Sequence, residues 1–183
     1  NPHFLFNILN MAFSSATGNG DETTANIIEK LSGLMRYMLY ESNSEKADIN
    51  KEISYIENYI SLQKLRMSSD IKTQIQFNVS GDILSYRIAP LILIPFVENA
   101  FKFGVKLEKE SIINIQLYLK DNVLKFEVEN TNFKKANPQN SVESGIGLEN
   151  VKRRLELIYP NKYDLKISDN EDKFLVKLKI DLE

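Results

Sequence analysis

Apolar residues recur at helical spacing through the first third of the chain and at strand spacing through most of the rest. Phe4, Leu5, Ile8, Leu9, Met11 and Ala12 follow Pro2, a residue favoured in a first turn, and predict an opening helix. Gly18-Asn19-Gly20-Asp21 breaks it, and Thr23 or Thr24 opens a second helix with the stripe Ile27, Leu31, Leu34, Met35 and Met38. The polar run ESNSEKAD then bends the chain, and Asn50 caps a third helix with the stripe Ile53, Ile56, Ile60 and Met67. Stripes of this kind read as bundle core, serving packing and dimerisation rather than chemistry.

From Ser69 the period becomes two. Thr73, Ile75, Phe77 and Val79 predict a half-buried strand ending at Ser80-Gly81-Asp82. The segment PLILIPFVENAFKFG, Pro90 to Gly104, returns to helical spacing, with Pro95 marking its start or kinking it. Ile113, Ile115, Leu117 and Leu119, the turn Asp121-Asn122, and Leu124, Phe126 and Val128 form a hairpin. A polar loop covers Thr131 to Ser144, and a helix with the stripe Leu148, Val151, Leu155 and Ile158 ends near Tyr159-Pro160. Tyr163, Leu165, Ile167 and then Phe174, Val176, Leu178, Ile180 close the chain as a second hairpin. The expected class is α+β: a helical region over 1–68, then a two-layer sandwich over 69–183 with strands on one side and two helices across them.

Composition narrows the chemistry. The 183 residues are 43% hydrophobic and 26% charged, enough apolar material for a sizeable core. A net charge of -2 argues against a nucleic-acid binder with a broad basic surface. Without cysteine there is no disulfide or thiol chemistry, and one histidine rules out a His-rich metal site, leaving oxygen-ligated cations. No apolar run reaches the roughly 18 residues of a membrane span. The start at Asn1-Pro2-His3 reads as that of a fragment, so the parent protein is left open.

Two stretches carry candidate chemistry. On the Pro90 to Gly104 helix, Asn99, Lys102 and Phe103 stand at i, i+3 and i+4, while Val97, Ala100 and Phe101 face inward. An amide for a hard cation, an ammonium for phosphate and a ring to stack on a base suit half of a nucleotide site. Glu98 and Lys102 are equally an ordinary i, i+4 surface pair. In SGIGLENVKRRL, Gly145 and Gly147 stand just before a helix, where free backbone N–H groups and the helix dipole attract an anion. A structural turn needs glycine equally often. His3, near a helix start, is by spacing more readily a surface or capping residue than a reactive one.

Taken together, ENAFKFG followed about forty residues later by GIGLENVKRRL resembles the N-box and G-box of the GHKL ATP-binding superfamily, which includes gyrase, the MutL repair proteins and the sensor histidine kinases. NPHFLFNILN resembles the phosphoacceptor box of the LytS-like sensor histidine kinases, LSGLMRYMLY their second helical block, and ISYIENYISLQKLRM the stretch leading into the ATP domain. The resemblance implies autophosphorylation of His3 from ATP and Mg²⁺, with Asn7 orienting a water for dephosphorylation. It implies Asn99 as the Mg²⁺ ligand, Lys102 on a phosphate and Phe103 against the adenine. Gly145, Gly147 and Leu148 would approach the nucleotide, and the Thr131 to Ser144 loop would be its lid.

The resemblance further implies a homodimer, a response regulator receiver domain as phosphoryl acceptor, and a cytoplasmic position in a bacterial protein held at the cell membrane by upstream segments. Three positions depart from the wider pattern. Phe4 follows the histidine where many kinases have an acid, a phenylalanine that the LytS-like class shares. Phe103 replaces the histidine of KHG. The strand end VENTN puts Asn130 where an aspartate of a DxG turn usually grips the adenine amino group, and an amide oxygen accepts there without a charge. Two alternatives follow: an ATP-binding switch module with no use for His3, and a degenerate kinase serving as a dimeric scaffold.

Overall fold

The computed structural model describes residues 2–42, 44–67, 71–83, 86–133 and 141–183. Helix α1, Pro2–Gly18, packs against α2, Glu22–Arg36. The cap of α2 is Asp21 rather than Thr23 or Thr24: its carboxylate accepts from the Thr24 N–H at 3.0 Å and from the Thr24 hydroxyl at 2.6 Å, satisfying an N–H that the helix itself cannot. At its far end α2 widens into a π-helical turn, Tyr37–Glu41. A two-residue strand β1, Ala47–Asp48, leads into α3, Ile49–Arg66. Here too the cap lies earlier than expected, since Asp48 accepts from the Asn50 N–H at 2.8 Å.

The remaining strands are β2 (Thr73–Gly81), β3 (Arg87–Ile88), β4 (Ser111–Lys120), β5 (Val123–Thr131), β6 (Tyr163–Asp169) and β7 (Lys173–Asp181). Five of them form one sheet in the order β2-β4-β5-β7-β6. Strand β2 runs parallel to β4, with Thr73 opposite Ser111, and every other neighbour is antiparallel. The expected hairpins are there: Leu117 faces Phe126 across β4 and β5, and Leu165 faces Leu178 across β6 and β7. Asp121 and Asn122, with φ of 50° and 63°, make the tight turn of the first, in the left-handed region that asparagine and aspartate tolerate. The β1 and β3 strands pair separately, Ala47 with Ile88, a link the alternation of the sequence did not signal.

Helices α4 (Ile94–Gly104) and α5 (Ser141–Ile158) lie across one face of the sheet, and α3 packs on α4. Pro95 belongs to the first turn of α4, so it marks the start and does not kink the helix. The inward residues of the strands, Ile113, Ile115, Leu117, Phe126, Val128, Val176 and Leu178, meet Phe96, Val97 and Ala100 of α4 and Val151 and Leu155 of α5 in one core. Phe96 and Phe126 approach with ring centroids 6.4 Å apart, and full burial of a side chain of that size contributes about 1.5–3 kcal/mol. At the end of α5, Ile158 is exposed, and Tyr159, just past the helix, is buried in its place. The core continues without interruption through Ile49, Ile53 and Ile56 of α3 to Tyr37 and Leu34.

Candidate functional site

Helix α4 presents its polar residues at graded depth. Lys102 is exposed, Asn99 is half-buried and Phe103 is buried. The face carrying these three therefore runs from solvent into the interior, with the Lys102 ammonium 5.4 Å from the centre of the Phe103 ring. Glu98 is exposed on the side toward α3, where burial first and then its charge raise the pKa values of Tyr55 and Tyr59. Partial desolvation pushes its own carboxyl above the usual range. Tyr59 in turn meets Phe101 edge-to-face at 5.6 Å, which fixes α4 against α3.

The end of α4 meets the end of β5. Asn130 is 1% exposed on the inward face of β5, and Gly104 closes α4 directly over it. A Cβ on residue 104 would stand 2.8 Å from the Asn130 Cβ and 3.1 Å from its Nδ2, so only glycine admits this contact. The Asn130 amide nitrogen donates to the Thr131 carbonyl at 2.7 Å, while its Oδ1 is buried with no partner among the described residues. A buried amide oxygen without a donor costs about 1–3 kcal/mol, a deficit that a ligand N–H would remove. Sequence reasoning missed Gly104 as a site residue, although the glycine at the end of FKFG was there to be read.

The strand end beyond Asn130 is pinned rather than glycine-loose. The Asn132 side chain donates to the Asp169 carboxylate and to the Asn170 carbonyl, both at 2.7 Å, and its N–H donates to the Asp172 carbonyl. Phe133 donates its N–H to the Phe103 carbonyl at 3.0 Å, tying the chain leaving β5 to α4. The asparagine that stands in place of the usual turn glycine thus serves as a tether to the β6–β7 turn.

The glycine segment corrects the expectation of a turn before a helix. Both Gly145 and Gly147 lie inside α5, which begins at Ser141, and Leu148 is half-buried against the core. Among the described residues nothing stands within 4 Å of where a Gly147 Cβ would be, so none of them holds the segment in a turn. Winding it into the helix satisfies its backbone groups instead. Part of the expected polar loop, 134–140, lies outside the described residues, as do the surroundings of Gly145. His3 and Asn7 fall in the opening turns of α1, and their side chains are likewise outside the described part. Among the described residues no group of three His, Cys, Asp or Glu side chains forms a metal site, and no helix is long and apolar enough to cross a membrane.

The structure therefore offers one unpaired buried acceptor on β5, a half-buried amide and an exposed ammonium on α4, and glycines in the opening turns of α5. The same arrangement of sheet and helices occurs in the catalytic domain of the histidine kinase ThkA, with a TM-score of 0.53 at 14% identity over 75% of this chain and 94% of that one. Full-length ShkA, solved in complex with AMPPNP, matches 98% of this chain and 44% of its own at a TM-score of 0.52 and 14% identity. The fold is that of the GHKL-type histidine kinase catalytic domain. In sequence, the histidine kinase family matches residues 1–71, and the sensor histidine kinase YpdA of Escherichia coli K12 is 30% identical over 167 residues, 87% of this chain. These matches support the LytS-like sensor histidine kinase family as the one this chain resembles. The chain spans 29% of the length of YpdA.

Proposed function

We propose that this chain is the phosphoacceptor and ATP-binding portion of a two-component sensor kinase, with 1–68 as the dimerising, phosphoaccepting region and 69–183 as the ATP-binding domain. The observation that carries the nucleotide site is the orphaned Oδ1 of Asn130. With one N–H of its amide given to Thr131, the group still presents an unpaired acceptor oxygen, which suits the exocyclic amino group of adenine. The AMPPNP bound by ShkA, a relative in fold, supports the same reading. Asn99 would offer its amide oxygen to Mg²⁺, a hard cation that takes one or two protein ligands and fills its shell with phosphate oxygens and water. When bound, the ion supplies charge neutralisation for phosphoryl transfer. Lys102 would meet a phosphate, and the α5 segment around Gly147 would turn its N–H groups toward it.

The acceptor is His3. A neutral imidazole nitrogen attacks the γ-phosphorus. The bond to the β,γ-bridging oxygen breaks, ADP leaves, and the imidazole loses its remaining proton to solvent, giving phosphohistidine. An aspartate of a response regulator then takes the phosphoryl group. In the parent protein the region would be cytoplasmic and held at the membrane by further segments.

Calorimetric titration with ATP, with and without Mg²⁺, tests the site. Binding should require Mg²⁺, and Asn99→Ala and Asn130→Ala should each weaken it by roughly tenfold or more, the effect of losing one charge-assisted or buried hydrogen bond. Tight binding unaffected by both substitutions would overturn the assignment. Incorporation of γ-phosphate abolished by His3→Gln, with ATP affinity unchanged, would locate the acceptor.

A further inference from the structure

Glu52 lies on α3, outside the candidate site, and is 1% exposed. Its Oε1 accepts from the Tyr37 hydroxyl and from the Leu91 N–H, each at 2.5 Å, and the Leu93 N–H also donates to the carboxyl. Burial pushes the group above the usual carboxyl range, while these three donors and the nearby Arg154 charge pull the other way. Leu93 is the N-cap of α4 and receives no cap from its own side chain. A carboxyl borrowed from α3 thus takes N–H groups that the start of α4 cannot satisfy internally.

The strap 89–93 is gripped equally from the other side. Arg154 of α5 donates to the Pro90 carbonyl at 2.7 Å and to the Leu91 carbonyl at 3.1 Å, and the Tyr159 hydroxyl accepts from the Ala89 N–H at 2.7 Å. Between the two grips Leu91 has φ of 55°, a left-handed conformation that a non-glycine residue keeps only where its surroundings impose it. Tyr37 begins the π-helical turn of α2, a local change of helical register. One short segment therefore joins α2 and α3 of the helical region to the starts of the contacts that fix α4 and α5.

We propose that Tyr37 and Glu52 are positioning residues through which the helical region sets the placement of α4 and α5, the helices that carry Asn99 and Gly147. A movement of α2 relative to α3 acts first on the Tyr37–Glu52 bond, then on the strap, and reaches both helices together because both hold the same strap. The consequence for catalysis rests on the nucleotide reading of the site; the linkage itself does not.

The test is amide hydrogen exchange on this chain, comparing Tyr37→Phe with Thr73→Val, which removes a hydroxyl contact to Ser111 at the far end of β2. Tyr37→Phe should raise exchange roughly tenfold for amides in 91–96 and 148–154, and Thr73→Val should not, at matched loss of melting temperature. The ATP dissociation constant should rise by a similar factor in Tyr37→Phe, and Glu52→Gln, which turns a donor toward the strap, should exceed it. Exchange that rises evenly along the chain would show an ordinary structural bond and overturn the linkage. Local exchange in a wild-type protein that does not bind ATP would uphold the linkage and sink the nucleotide reading. Local exchange with unchanged ATP affinity, where the wild type does bind, would overturn the positioning role.

Discussion

Asn130 and Gly104 are fitted to one another, and that fit is open to a single-atom test. Gly104→Ala adds a Cβ at 2.8 Å from the Asn130 Cβ, a contact that neither backbone segment can keep. Overpacking of a closed site costs about 1–3 kcal/mol, so melting temperature should fall, and ATP affinity should fall with it as Asn130 is displaced. A variant as stable as the wild type would mean that α4 and β5 have slack between them. Tyr55 supplies a second test. Burial, with the charges of Glu98 and Glu52 and the neighbouring Tyr59, pushes its phenol up from 10.0 to about 12. Since the folded-state value is raised, its contribution to stability is fully present below pH 10 and is lost as pH climbs toward 12. Ultraviolet titration of the phenols should show a late ionisation step that Tyr55→Phe removes. Its persistence in that variant would assign the step elsewhere.

At the scale of elements, α5 carries a built-in conflict. Glycine in a helix interior costs about 0.5–1 kcal/mol relative to alanine, and α5 holds two in its opening turns. Gly147→Ala meets no described residue within 4 Å, so it should stabilise the protein by about 0.4–1 kcal/mol. The same substitution should weaken ATP binding severalfold if, as proposed, the segment leaves the helix to bring N–H groups to phosphate. Higher stability with unchanged affinity would show that α5 binds as it stands. Strands were plainly legible in the sequence, since alternation such as Ile113, Ile115, Leu117 follows directly from a sheet with one covered face. Helix starts were less so: Asp21 and Asp48 act as caps although threonine and asparagine stood beside them, and such a choice depends on which side chain the turn aims at the N–H. Glu52 was illegible because its three partners come from elements distant in sequence. His3, Asn99 and Asn130 stood out through motif resemblance, and the Gly104 contact with Asn130 through the structure alone.

Across the whole molecule, one core joins α3 to the sheet, whereas α1 is attached chiefly through α2. Met11 is 69% exposed on α1 and Met38 is 42% exposed on the π-helical turn that follows α2, with Phe13, Leu31 and Leu39 also exposed. Apolar side chains gathered on a helical pair are what a bundle completed by a second subunit would cover. The proposed dimer then predicts concentration-dependent melting, since association stabilises the folded chain by mass action. Sedimentation should show a dimer whose dissociation constant rises about tenfold or more on Met11→Glu or Met38→Glu, given about 1.5–3 kcal/mol for a buried methionine. Leu157 offers the control, because it is 74% exposed near the far end of α5, the helix whose opening turns hold the candidate nucleotide segment. Leu157→Glu should leave association untouched. If association responds to Leu157 and ignores Met11 and Met38, the subunits meet through the catalytic domain, and the helical pair is not the dimer interface.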